Sequence, residues 1–267
     1  MIKPESILTE RNSREEIYSY YLKLIEQLDA IFNKIALNHY IVPDCIDSLV
    51  NKLYHSYKYF IPFSVCAKST GRYIQAKNAL DTAVLSIAVA VQKKLSLHTI
   101  EKIIEAALLH DAGMLCIPHN VLDKSESLSK SEYWYILTHP LQSSKIIEKE
   151  LRCSEQVSMI VSQHHEAWNG KGYPKKLAGN DIVLEARIIS VASAFVAMNS
   201  ERSYRPSLGR QKALSNLIAN AGVQFDPDVV KVFVHLTGAY SVEQAAMAER
   251  KQDMFISNKE VFMSKTA

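Results

Sequence analysis

Three separated stretches of this chain carry side chains that bind divalent metals. They contain His110 and Asp111, then His139, then the pair His164 and His165. Imidazole nitrogens and carboxylate oxygens suit iron, manganese and zinc. An aspartate can bridge two cations with its two oxygens, and two cations about 3.5–4 Å apart can activate water and clamp a reacting group. These residue types predict a metallohydrolase site with Asp111 at its catalytic centre.

Each of these signals is weak when taken alone. A His-Asp dipeptide often arises by chance, and a histidine before proline, as at His139, more often starts a helix than binds a metal. Adjacent residues of a helix point about 100° apart, so His164 and His165 need not both face one site. Only the combination of the three stretches is specific.

The elements that must position these residues are helices. Apolar residues recur at helical spacing along most of the chain, and the alternation typical of strands is almost absent. The sequence therefore predicts an all-α fold. Apolar residues at 100–108 predict a helix that ends at His110 and Asp111. Apolar residues at 157–161 predict another helix, which turns His164 inward.

The helical pattern also suggests three parts. We expect a small helical N-terminal region at 1–75, a larger helical bundle at 76–240 and a polar tail at 241–267. The N-terminal helices are apolar enough to form the face of a homodimer, which is a further expectation.

Composition excludes several classes of partner. Lysine and arginine number 31 against 28 for aspartate and glutamate, and no basic run stands out. We therefore expect no nucleic-acid partner and no membrane binding. No apolar stretch reaches the roughly eighteen residues that span a bilayer. The four cysteines lack metal-ligand spacing. These features predict a cytoplasmic protein with reduced thiols.

Several blocks of the sequence form a specific combination when they are taken in order. They are His110-Asp111-Ala112-Gly113, Ile117-Pro118, His139-Pro140, His164-His165-Glu166 and Gly170-Lys171-Gly172-Tyr173-Pro174. These blocks resemble the motifs of the HD-GYP family, a branch of the HD superfamily of metal-dependent phosphohydrolases. The resemblance covers about 78–236 of the chain.

The resemblance implies a fold and an activity. The fold is an all-helical HD-domain bundle that binds two or three metals, often iron or manganese. The activity is hydrolysis of the bacterial messenger cyclic di-GMP to the linear dinucleotide or to GMP. The resemblance also implies that the loop around Tyr173, the GYP loop, handles substrate and contacts partner signalling proteins.

The chain departs from the family at the metal ligands. Family members carry a histidine at the start of the helix before the His-Asp pair, and no histidine occurs here between His55 and His98. The corresponding stretch is Asn78 to Leu80, and we take Leu80 as the lost position. Ser193 stands where the family has its last aspartate ligand. A hydroxyl is a poor replacement for a carboxylate on a divalent metal.

Two further departures affect substrate contacts that the family implies. Met114 replaces a lysine that is thought to meet the substrate phosphate. Asn169 replaces an aspartate of the GYP loop, which keeps the shape of the side chain and loses its charge.

The surviving residues predict at most one divalent metal, iron or manganese before zinc, or no metal. Asp111, His139 and His164 would hold it, and His165 could join them. His110 belongs to the metal position whose other ligands are lost. Without a second metal, transition-state charge is less well stabilised, which typically lowers turnover by orders of magnitude.

Candidate ligand-binding residues lie in and after the GYP loop. Arg202 and Arg205 belong to a segment, 199–205, that resembles another family block, and they could clamp a phosphate or stack on guanine. They could equally form ion pairs with nearby carboxylates. Asn169 and Tyr173 are further candidates, and Trp168 could stack a base or simply pack.

Three functions remain open at this point. The first is a degenerate HD-GYP-type protein that binds cyclic di-GMP or a partner protein with weak or no hydrolysis. The second is an active cyclic di-GMP phosphodiesterase that recruits other ligands, with Glu105 and Glu185 as candidates. The third is a structural interaction domain with neither nucleotide nor metal. We favour the first.

Overall fold

The computed structural model describes residues 8–39, 41–42, 44–66, 73–122, 124, 126–127, 129–149, 151, 153–200 and 206–238. Among these residues no β-strand occurs beyond two isolated bridges, so the all-α prediction is confirmed. The helices are α1 (Arg14–Ala36), α2 (Asp44–Cys66), α3 (Ile74–Gln92), α4 (Leu97–Leu109), α5 (His119–Leu122), α6 (Lys130–Leu137), α7 (His139–Lys149), α8 (Glu155–Gln163), α9 (Leu184–Asn199), α10 (Arg210–Ala219) and α11 (Pro227–Gly238). Two 3₁₀ turns cover Ala112–Cys116 and Gly179–Asp181. Arg202, Arg205 and the tail predicted at 241–267 lie outside the described residues.

The central helix of the fold is α3. Nearly every side chain from Ala76 to Ala90 is buried, because α1, α2, α4, α9 and α11 all pack against this helix. It has the length and apolar composition of a membrane span, but 78% of that window is buried inside the protein. Burial against other helices therefore explains the apolar run, as in the core helix of a soluble protein.

The N-terminal helices α1 and α2 contribute to the same hydrophobic core as the later helices. The centroid of the Tyr21 ring in α1 lies 5.4 Å from that of Phe60 and 5.6 Å from that of Phe63, both in α2. Aromatic pairs at such separations stabilise a core. The boundary that we placed at residue 75 falls in the first turn of α3, and the division between 1–75 and 76–240 stays a prediction.

A buried polar cluster joins α1 and α2 to α3. The Asp81 carboxylate of α3 is 1% exposed. It accepts hydrogen bonds from the Tyr21 hydroxyl at 2.5 Å, the Ser64 hydroxyl at 2.7 Å and the Lys77 ammonium at 2.6 Å. Burial and the Asp81 charge raise the pKa of Tyr21 well above its usual range, so this hydroxyl stays protonated. Since a buried charge needs such partners, the cluster holds the three helices in one arrangement.

Removing the Tyr21 hydroxyl tests this cluster. Tyr21→Phe keeps the ring but removes one hydrogen bond to a buried carboxylate, and we expect it to lower the free energy of unfolding by about 1.5–3 kcal/mol. Tyr135→Phe is the matched control, because Tyr135 is 48% exposed, and its effect should stay within about 0.5 kcal/mol. Urea unfolding followed by circular dichroism measures both, and equal effects of the two variants would contradict the role given to the cluster.

Helix ends bring the predicted ligands together. His110 follows the last residue of α4, His139 begins α7 and His164 follows the last residue of α8. Ser96 and Ser154 start α4 and α8 with side-chain oxygens that accept backbone N–H groups. His164 is 1% exposed, as its position on an apolar helix face indicated.

A close backbone approach at Gly113 sets the distance between Asp111 and α7. A Cβ atom on Gly113 would lie 2.5 Å from the carbonyl oxygen of His139 and 2.7 Å from the backbone nitrogen of Ser143. The Gly113 backbone N–H also donates to the Ser143 hydroxyl at 2.7 Å. Only glycine fits here, and the contact places His139 beside Asp111.

Candidate metal centre

Four side chains converge on one point. Each of Asp111, His139, His164 and His165 offers one ligand atom, and these four atoms lie within 4.8 Å of one another. Oδ1 of Asp111 is 3.2 Å from Nε2 of His139 and 3.7 Å from Nε2 of His164. The two Nε2 atoms are 3.4 Å apart. The structure thus brings together the four residues that the sequence proposes for a single metal, and their role as ligands stays a prediction.

Hydrogen bonds to the main chain orient the imidazoles. In three of the rings Nδ1 lies 2.7–2.8 Å from the carbonyl oxygen three residues earlier in the chain. The pairs are His110 with Ala107, His139 with Ile136 and His164 with Val161. A carbonyl only accepts, so each Nδ1 carries the hydrogen, and in a neutral ring Nε2 then presents a lone pair. Metal-binding histidines are oriented in this way, and the donor set therefore fits a divalent metal.

Electrostatics keep His164, His165 and Asp111 in their metal-binding forms. Burial lowers the pKa of His164 to about 4 and that of His165 well below its usual value, so both rings stay neutral at pH 7. Partial burial opposes ionisation of Asp111, but the facing imidazoles, first that of His110, outweigh it and hold the pKa of this carboxyl well below its usual range. A charged carboxylate beside these two neutral imidazoles is the state that metal binding requires.

His110 lies on the other side of Asp111. Its Nε2 is 3.2 Å from Oδ2 of Asp111, whereas His139 and His164 face Oδ1. Burial works against protonation of His110, but the neighbouring Asp111 carboxylate raises its pKa above the usual value. The two oxygens of Asp111 thus face two different sets of partners, as in a bridging ligand.

A cavity of about 240 Å³ opens over the cluster, and Asp111 is 45% exposed. On the wall made by α3 and α9, the lining side chains are uncharged; they are Asn78, Thr82, Ser190, Ser193, Ala194, Val196 and Ala197. Met114 also lines the cavity, where the family resemblance implies a lysine. The described part of this wall therefore offers neither an imidazole nor a carboxylate.

The structure corrects the position assigned to the lost histidine. Leu80 is 0% exposed and belongs to the hydrophobic core, whereas Asn78 and Thr82 line the cavity. Asn78 therefore faces the cavity, and its amide oxygen accepts a hydrogen bond from the Ser200 hydroxyl at 2.8 Å.

The carboxylates suggested as substitute ligands lie elsewhere. Glu105 accepts a hydrogen bond from the Lys102 ammonium at 2.9 Å within α4. Neither Glu105 nor Glu185 is among the residues that line the cavity. The structure thus gives neither of them a ligand role.

The GYP loop is built around Glu166. This carboxylate is 3% exposed and accepts the backbone N–H groups of Lys175 at 2.6 Å and Leu177 at 3.0 Å. A Cβ atom on Gly172 would lie 2.2 Å from the backbone nitrogen of Ala167, so the loop packs too tightly for any other residue. Sequence reasoning missed this role of Glu166, because its partners lie nine and eleven residues away.

Tyr173 is the loop residue that reaches the site. Its ring stacks on that of His165, with centroids 4.9 Å apart and planes inclined by 15°, and it lines the cavity. Burial, Asp111 and Tyr133 together raise the pKa of the Tyr173 hydroxyl, so it stays protonated. The loop therefore fixes the orientation of one candidate ligand.

Two other loop residues that the sequence proposed as ligand contacts lie away from the cavity. Asn169 is exposed, and its amide oxygen accepts the backbone N–H of Lys171 at 3.0 Å, which shapes the turn. The Arg187 guanidinium lies 5.6 Å from the centre of the Trp168 ring and donates to Asp226 at 2.7 Å. Trp168 thus has a packing partner.

Loss of His164 tests the ligand set. His164→Ala should weaken Mn²⁺ binding by at least about tenfold, since losing even an outer partner of a metal ligand commonly costs that much. Glu105→Gln is the control and should leave the affinity unchanged, because Glu105 pairs within α4. Calorimetric titration measures both variants, with circular dichroism to verify folding. An unchanged affinity in His164→Ala would exclude this residue from the site.

Comparisons with known proteins agree with the fold and the motifs. The sequence pattern of the HD domain family matches residues 67–229, which is more than half of the chain. A solved structure described as a HDG"Y"P protein, Bd1817 from Bdellovibrio bacteriovorus, superposes with a TM-score of 0.67 at 15% identity. That superposition covers 88% of this chain and 75% of Bd1817. The chain belongs to the metal-dependent HD-domain family, and the HD-GYP identification made from its motifs is confirmed.

Curated relatives match part of this chain in sequence but are much longer. Cyclic di-GMP phosphodiesterase PA4108 of Pseudomonas aeruginosa is 30% identical over 204 residues, covering 75% of this chain and 44% of that protein. The cyclic di-GMP phosphodiesterase response regulator RpfG of Xanthomonas campestris is 37% identical over 157 residues, covering 58% and 41%. The chain thus spans less than half the length of these relatives.

Proposed function

We propose that this chain binds a cyclic dinucleotide, with cyclic di-GMP as the first candidate, at a site that holds a single divalent metal. In this proposal hydrolysis is weak or absent. The observation that carries it is the uncharged wall of the cavity, where Asn78 and Ser193 stand on the side that would need ligands for a second metal.

The choice of ligand rests on the site and on the relatives. Relatives that are named cyclic di-GMP phosphodiesterases match between 51% and 75% of this chain. Two others are named 3'3'-cGAMP-specific phosphodiesterases. All of these ligands carry anionic phosphodiesters, which fit a site that gathers a cation. A cyclic dinucleotide is therefore the chemical class that we assign to this cavity.

In this proposal the residues of the cavity have separate roles in binding the metal and the phosphate. Asp111, His139, His164 and His165 would hold the metal, which when bound supplies positive charge next to a phosphate oxygen. Tyr173 keeps His165 in place by stacking on it. Met114 gives no charge to the phosphate, and Asn78 and Ser193 give only neutral polar groups. The cavity can thus bind a phosphodiester with less stabilisation of the transition state than a fuller set of charges would give.

The other two functions are less well supported. An active enzyme with substitute ligands would need carboxylates at the cavity, and Glu105 and Glu185 lie elsewhere. A purely structural domain would have no need for imidazole lone pairs that face a carboxylate. Contacts of signalling proteins with the GYP loop and a homodimer through the N-terminal helices stay predictions.

A gain of activity tests the proposal. Wild-type protein with Mn²⁺ should bind cyclic di-GMP in calorimetry and release little linear dinucleotide in a chromatographic assay. The double variant Asn78→His with Ser193→Asp adds two metal ligands to the uncharged wall. It should raise turnover by about 100-fold or more, because removal of a single group that stabilises transition-state charge costs about that factor.

The matched control introduces side chains of similar size to those of the double variant but without a strong metal ligand. Asn78→Gln with Ser193→Asn adds bulk at the same two positions without an imidazole or a carboxylate, so its turnover should stay at the wild-type level. Fast hydrolysis by the wild-type chain would overturn the degenerate assignment and favour an active phosphodiesterase. Absence of cyclic di-GMP binding would exclude this nucleotide as the ligand and would favour the structural interaction domain.

A further inference from the structure

The cavity is too small for a whole cyclic dinucleotide. Its volume is about 240 Å³, whereas pockets that enclose a drug-sized ligand measure about 300–1,000 Å³. A cyclic dinucleotide carries two bases beside its two phosphodiesters. If one phosphodiester lies at the metal centre, at least one base must lie outside the cavity, on the surface around its mouth.

The helix that leads into the metal centre exposes large aromatic side chains. α6 has no buried residue, and Tyr133, Trp134 and Tyr135 are 56%, 68% and 48% exposed. Ile136 of the same helix lines the cavity, and His139 follows within one turn. Such a run of exposed aromatic residues beside a binding cavity calls for a function.

Helix geometry selects one of these aromatic residues. Residues three apart lie on the same face of a helix, so Tyr133 stands one turn from Ile136 on the face toward the cavity. Tyr135 is two positions further on and therefore points about 160° away. Tyr133 thus lies on the same face of α6 as Ile136, at the mouth of the cavity.

Local contacts hold α6 in place. The Ser129 hydroxyl accepts the Glu132 backbone N–H at 3.2 Å, and the Glu132 carboxylate accepts the Ser129 N–H at 2.7 Å, which together form a capping box. The Lys124 ammonium donates to both oxygens of Glu132 at 2.9 and 3.0 Å. Tyr133 therefore projects from a fixed helix start, which limits the entropy lost when a ligand contacts it.

We propose that Tyr133 is a stacking platform for one base of the cyclic dinucleotide at the mouth of the cavity. This inference rests on the proposed function and names the residue that binds the part of the ligand outside the cavity. An exposed tyrosine ring offers a flat apolar face, and stacking on such a ring accepts either purine. Tyr133 contributes affinity and makes no contact with the reacting phosphodiester.

The test compares variants of α6 in the full chain with Mn²⁺ present. Tyr133→Ala should weaken cyclic di-GMP binding by about tenfold, because loss of one stacked base typically lowers affinity by about five- to 150-fold. Tyr133→Phe keeps the ring and should retain the wild-type affinity. Tyr135→Ala is the matched control on the opposite face and should leave the affinity unchanged. Calorimetry measures all three.

A second measurement separates stacking from damage to the metal centre. Mn²⁺ affinity in the absence of nucleotide should be the same in Tyr133→Ala as in the wild-type chain. If Tyr133→Ala binds the nucleotide as tightly as the wild type, Tyr133 is not a stacking platform. The same conclusion follows if Tyr133→Ala and Tyr135→Ala lose equal nucleotide affinity, and in both cases the proposed function stands. Failure of the wild-type chain to bind cyclic di-GMP would overturn both.

Discussion

The arrangement of the site follows from one electrostatic constraint, the meeting of a carboxylate oxygen with imidazole lone pairs. His139 and His164 donate their Nδ1 hydrogens to carbonyl oxygens of the preceding turn, and both Nε2 atoms face Oδ1 of Asp111. In the neutral ring of His164 no hydrogen lies between Nε2 and this oxygen. Acceptors in such proximity repel one another unless a cation or a proton lies among them. Since burial disfavours protonation of His164, a metal ion satisfies the constraint best.

The ends of the helices position the imidazoles around Asp111. Helix ends leave carbonyl groups without partners in the helix, and these carbonyls hold the imidazoles at the required angle. The close approach at Gly113 then brings α7 against the turn that carries Asp111. On the opposite side, α3 and α9 supply a wall of small neutral side chains. In the part of the chain that the structure describes, the site is therefore asymmetric: His139 and His164 face Oδ1 of Asp111, whereas His110 faces Oδ2.

The sequence predicted the fold better than the register of α3. Helical periodicity was sufficient for an all-α fold, and Asp111, His139 and His164, which the sequence proposes as metal ligands, lie close together. The sequence predicts Leu80 rather than Asn78 as the position of the lost histidine, because α3 is buried on nearly all sides. A helix without a polar stripe gives no hydrophobic pattern from which to read which residue faces the cavity. The role of Glu166 was missed for a different reason, since its partners are backbone groups of a loop that only the folded chain brings near.

The number of metal ions per chain tests the central claim most directly. Protein purified without oxygen and saturated with Mn²⁺ or Fe²⁺ can be analysed by elemental mass spectrometry against the protein concentration. The account predicts one metal ion per chain, held by Asp111, His139, His164 and His165. Two or more ions bound per chain in the wild-type protein would show that the wall of Asn78 and Ser193 supports a second position, and would contradict the account.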